Sequence, residues 1–454
     1  MDLRLPRNSS LARALGPSWL GLLEESFAAL SRILPHTETS GWQWGEGPIR
    51  TRVTFSDQTR RALSLAAGIT IGSRQWSIEG RLARRSNPDG VGAISRTIDI
   101  REKDIAGSVV QEIGEMFSSV RSDDVSTAHA LRQGIDERVV ARHLRAYHGL
   151  EIDLGEWFVS LRQLAEQSYE NKALTFGCII HTDDRTFPSQ GLRFPTDFLE
   201  RKRYKALSDG YRTAYRVSAK GAVVGFTDLP SGTPGAQKYH PKWCDEIAVQ
   251  SSGKRLGLCL TRQGDLLVLD GGRLTLTYRF GRWQYWNHAH IVDLIRNAAR
   301  VQNVPTAKVL GVVRSIYRAA LDVSFRRSGA LFLVLRSRND LRKVVRAGDA
   351  IGDTQRPGLD KAFDGVLDEF SVQSGSRAVV AELAALDGAV VLANSGRVLA
   401  YGAVLDPRRK GRVRAAEGSR TKAAIGASNY GLAVKISSDG DITVYVKGRK
   451  LIAV

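Results

Sequence analysis

A multidomain α/β fold is what this sequence predicts, and three observations carry the prediction. The chain has 454 residues, more than one ordinary hydrophobic core accommodates. Alternation with a period of two fills much of 175–286, the mark of antiparallel strands. The last segment opens on a nearly unbroken apolar run, LFLVL (331–335), and then alternates strand and helix patterns, as a mixed sheet flanked by helices does. The expected division is an α+β region at 1–150, a β-rich α+β module at 151–290, a helical connector at 291–325 and the mixed-sheet domain at 326–454.

Composition narrows the class. With 43% hydrophobic and 25% charged residues the chain is expected to fold. Lys and Arg (66) exceed Asp and Glu (47), giving a net charge of +19. That excess suits a polyanion such as DNA, RNA, nucleoside triphosphates or an anionic membrane. It equally suits a solvated basic surface, because the charges form no long tail. The three cysteines, Cys178, Cys244 and Cys259, make no CxxC pair, which argues against a zinc ribbon or a disulfide framework. Cys178 and His181 have ligand-like spacing without a second pair. Met1 to Asn8 lack the apolar core of a signal peptide, and no apolar run reaches the ~18 residues of a membrane span. A reduced, cytoplasmic protein is the expectation.

Along the chain, residues 11–34 put Trp19, Leu22, Leu23, Phe27, Leu30 and Leu34 on one helical stripe. Such a stripe could lie on a membrane, but Glu24 and Glu25 on the polar face favour packing against the domain. Short strands follow over 50–100, with a turn at Asn87-Pro88-Asp89-Gly90, and helical spacing returns over 104–149. A helix near 156–171 and a strand TFGCIIH (175–181) open the next module. A charged stretch, FLERKRYKAL (198–207), leads to strand pairs turning at 219–221, 262–265 and 270–272. Pro230, Gly232, Pro234 and Gly235 mark a long loop. Trp283, Tyr285, Trp286, His288 and His290 read as a hydrophobic strand-to-helix corner rather than a stacking platform. The His288-x-His290 pair lacks a third ligand nearby. Two helices then flank Pro305.

The chemistry-bearing residues lie near the C-terminus. A helix is expected over 359–374. Asp387 stands beside Gly388 and Ala389 at the start of an apolar strand, which a turn at Asn394-Ser395-Gly396 folds into a hairpin with 397–405. A carboxylate so placed can hold Mg²⁺ or Mn²⁺, hard cations that bridge to phosphates. After a basic loop, PRRKGRVR (407–414), Gly418-Ser419-Arg420-Thr421-Lys422 opens a helix of small residues. Backbone N–H groups, a hydroxyl and two cations at a helix N-terminus make an anion site. Together the two features suggest a nucleoside triphosphate. Strands GLAVKIS and ITVYVKGRKLIAV close the chain.

In this order the segments resemble the catalytic domain of the diadenylate cyclase (DAC) family. The family's DGA motif is matched by Asp387, Gly388 and Ala389. Its G-[TS]-R-H-R-A-A-[IL]-G motif is matched at Gly418, Ser419, Arg420, Ala423, Ala424, Ile425 and Gly426, with Thr421 for the His and Lys422 for the second Arg. Lys keeps the charge but not the bidentate fork. A family Ser-Glu after the helix is Ser428-Asn429 here, and a later Ser-Glu-Glu is Ile436-Ser437-Ser438, with Asp439 the nearest acid.

The resemblance implies that two such domains face each other, each holding one ATP, and that each ribose 3′-OH attacks the other α-phosphate to give cyclic di-AMP and pyrophosphate. It implies Asp387 as ligand of Mg²⁺ or Mn²⁺ and Arg420 with Lys422 as phosphate cations. Gly388, Ala389, Gly418, Ser419, Thr421 and Ser428 complete the substrate contacts. A homodimer or higher homo-oligomer is then required for turnover. The departures leave a second reading, a degenerate domain that binds nucleotides as a sensor. Residues upstream, notably YENKALTFGCIIH and GRWQYWN, resemble the sensor regions that precede divergent DAC domains.

Overall fold

The computed structural model describes residues 6–7, 9–71, 73–85, 97–118, 125–169, 171–182, 192–195, 197, 204, 207–229, 239–304, 306–355, 357–367, 369–407 and 417–454. The turn expected at 87–90, most of the charged stretch 198–207, the loop with Pro230, Gly232, Pro234 and Gly235, and nearly all of the basic loop 407–414 lie outside them. The fold is α/β, with mixed and antiparallel sheets flanked by helices, and the chain divides into two compact units.

The first unit ends at Trp286. Its opening helix α1 (Ser10–Ile33) begins at Ser9, whose hydroxyl accepts the Ala12 N–H at 3.1 Å, and is broken at Gly16 (φ 70°) ahead of Pro17. Trp19, Leu22, Leu23, Phe27 and Leu30 are buried in the unit's core, so the apolar stripe is used for packing. Strands β1 (Thr37–Glu46), β2 (Arg52–Phe55), β3 (Ala62–Ile71) and β4 (Arg74–Arg84) form an antiparallel sheet in the order β1-β4-β3-β2. Helix α2 (Ile100–Ser118) packs on β3. At its start Glu102, almost wholly buried, receives the Arg84 guanidinium at 2.5 and 2.6 Å. Helices α3 (Val125–Gln133), α4 (Ile135–His148) and α5 (Leu154–Ala165) follow.

After the short pair β5 (Ser168–Tyr169) and β6 (Lys172–Ala173) comes the larger sheet. It contains β7 (Phe176–His181), β8 (Thr213–Ser218), β9 (Val223–Asp228), β10 (Arg255–Leu260), β11 (Leu266–Asp270), β12 (Arg273–Arg279) and β13 (Arg282–Tyr285), with the short helix α6 (Asp245–Gln250) before β10. The order is β13-β12-β11-β10-β7-β8-β9, antiparallel except where β7 runs parallel to β8. One core cluster runs from Leu11 to Tyr285, so packing is continuous across residue 150. Trp283, Tyr285 and Trp286 are buried, and the Trp286 indole N–H donates to Thr277 Oγ1 at 2.9 Å.

The second unit holds residues 239–242 and 287–454. Helices α7 (His288–Val301) and α8 (Thr306–Phe325) pack on one face of a mixed sheet, so the expected connector is part of this unit's layered structure. In their layer, buried His288 Nδ1 lies 2.8 Å from the Tyr317 hydroxyl. The sheet comprises β14 (Ala330–Leu335), β15 (Ala389–Leu392), β16 (Val398–Ala403), β17 (Gly431–Ile436), β18 (Ile442–Val446) and β19 (Arg449–Ala453), ordered β16-β15-β14-β17-β18-β19. β14 and β15 are parallel and every other pairing in this sheet is antiparallel. The final run ITVYVKGRKLIAV is therefore two strands, folded at Lys447-Gly448, both of which have positive φ. Helices α9 (Gly358–Val366) and α10 (Arg377–Ala385) precede β15, and α11 (Ser419–Ala427) covers the opposite sheet face from α7 and α8. Leu331, Leu333 and Leu335 face α11, and by alternation Phe332 and Val334 face the other layer. Beyond β16, bridges Val345↔Leu405, Ala350↔Ala400 and Ser371↔Arg397 cover one rim, while β19 presents exposed Arg449 and Lys450 at the other.

Candidate nucleotide site

Strand register gathers the motif residues at one end of this sheet. Ala389 pairs with Ala403 and Ala330 with Ile436, so β14 and β15 begin where β16 and β17 end. Asp387 immediately precedes β15 there, and α11 begins at the same end because it leads back into antiparallel β17. The helix start has Gly418 as its N-cap with no side-chain hydrogen bond, leaving the first-turn N–H groups without a capping side chain.

Two of the expected groups meet directly. Arg420 Nη2 donates to Asp387 Oδ1 at 3.3 Å, between a half-exposed guanidinium and a fully exposed carboxylate. A pair this open to water is worth little to stability. Arg420 Nε is buried and has no hydrogen-bond partner among the described residues. The guanidinium lies against the backbone of Gly329, where a Cβ would stand 2.3 Å from Nη1. Gly388 has φ 111°, and a Cβ there would come within 2.3 Å of the Gly402 carbonyl carbon. The DGA glycine is thus demanded by the neighbouring strand, and Ala389 is buried in the core under α11.

The other expected residues separate. Ser419 and Gly418 are exposed at the helix start. Lys422 is exposed and sits two residues beyond Arg420, hence on the far side of the helix turn. Thr421 points to the sheet, where Lys435 Nζ donates to its Oγ1 at 2.9 Å. Burial, then Lys450, lowers the pKa of Lys435, while Asp441, Asp439 and Glu417 oppose the shift. Ser428 lies elsewhere. It is fully buried at the opposite end of α11, its hydroxyl donating to the Ile425 carbonyl at 2.7 Å and accepting the Gly448 N–H at 2.9 Å. That network closes the turn between β18 and β19 instead of facing a ligand.

Sequence reading passed over Lys435. Its signal was a single cation in an otherwise apolar strand, on the side that alternation turns toward α11. Glu417 Oε2, just before the helix, is a further buried oxygen with no partner among the described residues.

The donor set limits the metal chemistry. Among the described residues no group of three His, Cys, Asp or Glu could hold an ion. One exposed carboxylate fits an Mg²⁺ or Mn²⁺ shared with substrate phosphates, since Mg²⁺ keeps several waters and needs only one or two protein carboxylates. Likewise no helix among the described residues is long and apolar enough to cross a membrane.

No protein-family model matches the chain, and no curated protein matches it. Solved structures with partial likeness include a hypothetical membrane spanning protein from Bacillus cereus, 19% identical, covering 36% of this chain and 77% of that one with a TM-score of 0.24. A double mutant of DacA from Staphylococcus aureus is 21% identical over 31% of this chain and 86% of its own, with a TM-score of 0.21. Likeness at these TM-scores is too slight to bear on function.

Proposed function

We propose that the second unit is a diadenylate cyclase-like nucleotidyltransferase that condenses two ATP molecules into cyclic di-AMP, under control of the preceding sensor region. The single observation that supports this most is the meeting of Asp387 and Arg420 beside the uncapped start of α11. A carboxylate, a half-exposed guanidinium and a helix start without a capping side chain are what a triphosphate requires at one place.

On this reading Arg420 and the first-turn N–H groups of α11 bind the phosphates and hold the α-phosphorus in line with an incoming ribose 3′-OH. Asp387 would hold Mg²⁺ or Mn²⁺, which would supply charge neutralisation and lower the pKa of the attacking hydroxyl. Ser419 adds a hydrogen bond from the exposed helix start. Each attack forms one P–O bond and releases pyrophosphate, and two attacks close the ring. Because each nucleophile comes from the other nucleotide, turnover requires a homodimer or larger homo-oligomer. Catalysis of this kind rests on positioning and electrostatics.

The test is incubation of the purified chain with ATP and Mg²⁺ or Mn²⁺, followed by mass spectrometry. Cyclic di-AMP is expected from the wild type, with a loss of about 10²-fold or more in Asp387→Asn. ATP retained but unchanged would replace this reading with the nucleotide-sensor one.

A further inference from the structure

At the end of the second unit's sheet away from Asp387, β14 and β18 finish and β17 and β19 begin. Backbone carbonyls of the turn between α11 and β17 tie this end together. The carbonyl of buried Ser428 accepts the Lys447 N–H at 3.0 Å and also the Gln302 side-chain amide from the end of α7. Next to it, the Tyr430 carbonyl accepts the Arg336 N–H at 3.2 Å. Three stretches distant in sequence, 300–304, 336–343 and 447–449, therefore share one surface.

Charge on that surface is almost all of one sign. Arg300, Arg338, Lys343, Lys447 and Arg449 are exposed there, and Arg336 is half-exposed. Asp340 is the only carboxylate in the three stretches. It is buried, and it accepts Arg336 Nε at 3.1 Å and Lys343 Nζ at 2.8 Å, one acid serving two cations. Arg342, in the same run, has Asp353 within electrostatic reach. Arg300, Arg338, Lys447 and Arg449 remain in excess. No large apolar side chain is exposed in these stretches, and the carboxylates of Asp387, Asp439 and Asp441 stand exposed at the other end of the sheet.

We infer that this surface binds the sugar–phosphate backbone of a nucleic acid, without regard to base sequence. Contacts from Lys and Arg to phosphate supply binding of that kind by themselves, through release of counterions. Guanidinium groups, the majority here, match phosphate with paired hydrogen bonds. Stable attachment to a bilayer or to a protein draws on buried apolar side chains as well, and this surface offers none. The site is separate from the Asp387–Arg420 pair and stands whether or not that pair is catalytic.

Fluorescence anisotropy tests it on the full chain, with a labelled duplex of about 20 base pairs, DNA in one arm and RNA in the other, between about 50 and 200 mM salt. At least one duplex is expected to bind, and to weaken steeply as salt rises. Arg338→Gln, Lys447→Gln and Arg449→Gln combined are expected to weaken binding about tenfold or more. They should also flatten the dependence of log affinity on log salt by about one for each cation removed. The charge-keeping set Arg338→Lys, Lys447→Arg and Arg449→Lys should bind like the wild type, which separates loss of charge from misfolding. Arg52→Gln, Arg212→Gln and Arg273→Gln make the same charge change at exposed positions of the first unit and should weaken binding far less. Absence of duplex binding at about 50 mM salt overturns the inference. So does an effect no larger than that of the first-unit set, which would leave only diffuse net charge. Capture by phosphatidylserine vesicles without binding of either duplex overturns it in favour of a membrane.

Discussion

Gly329 carries the sharpest consequence at the level of single residues. It makes no polar contact through a side chain, yet a methyl group there would collide with Arg420 Nη1. Gly329→Ala is expected to reproduce much of the effect of losing Arg420, lowering nucleotide affinity about tenfold with little change in Tm, measured by calorimetry beside thermal unfolding. Two buried histidines set a pH dependence. Burial, then the charges of Arg84 and Arg85, pulls His36 down to about 4, and burial, then Arg101 and His148, pulls His143 down to about 3. Their unfolded forms protonate first as pH falls below the ordinary histidine value of about 6.5. Stability is therefore complete above about 6.5 and is lost as pH falls toward the folded-state values. Thermal unfolding from pH 7.5 to 4.5 should show Tm falling, and less steeply in His36→Asn, because asparagine tolerates the positive φ of 65° at that position. Asp387 and Arg420 were legible in sequence because both sit in short motifs. The placement of Lys422, Ser428 and Lys435 was not, because helix phase and strand register decide which side chains share an end of the sheet.

At the scale of elements, legibility followed hydrophobic period. The stripe of α1, the strands β7 to β13 and the hairpin of β15 and β16 all carried strong patterns and formed where the pattern placed them. β1 escaped notice because TETSGWQWGE is largely polar and lies at a sheet edge with half of its residues exposed. The parallel pairing of β7 with β8 was equally hidden, since alternation does not encode strand direction. The link between β4 and α2 rests on a buried ion pair that no periodicity signals. Burial raises the pKa of Glu102 and the Arg84 charge opposes that shift. Arg84→Ala would leave the carboxylate buried and unpaired, and is expected to cost about 3–5 kcal/mol in chemical denaturation.

For the whole molecule, the core that joins Leu11 to Tyr285 means that α1 to α4 depend on partners from beyond residue 150, among them Trp157, Phe158 and Phe176. A fragment 1–150 is expected to lack cooperative unfolding, whereas 1–286 should unfold in a single transition followed by circular dichroism. In the second unit, both rims of the sheet are already dealt with, one by short bridges from neighbouring loops and the other by two cations on β19. Among the described residues, one rim is covered and the other is made less receptive to an added strand by its charge. Backbone pairing between copies of this unit is disfavoured, and an assembly made instead from loop ends and helix faces can come apart again without any strand being unzipped.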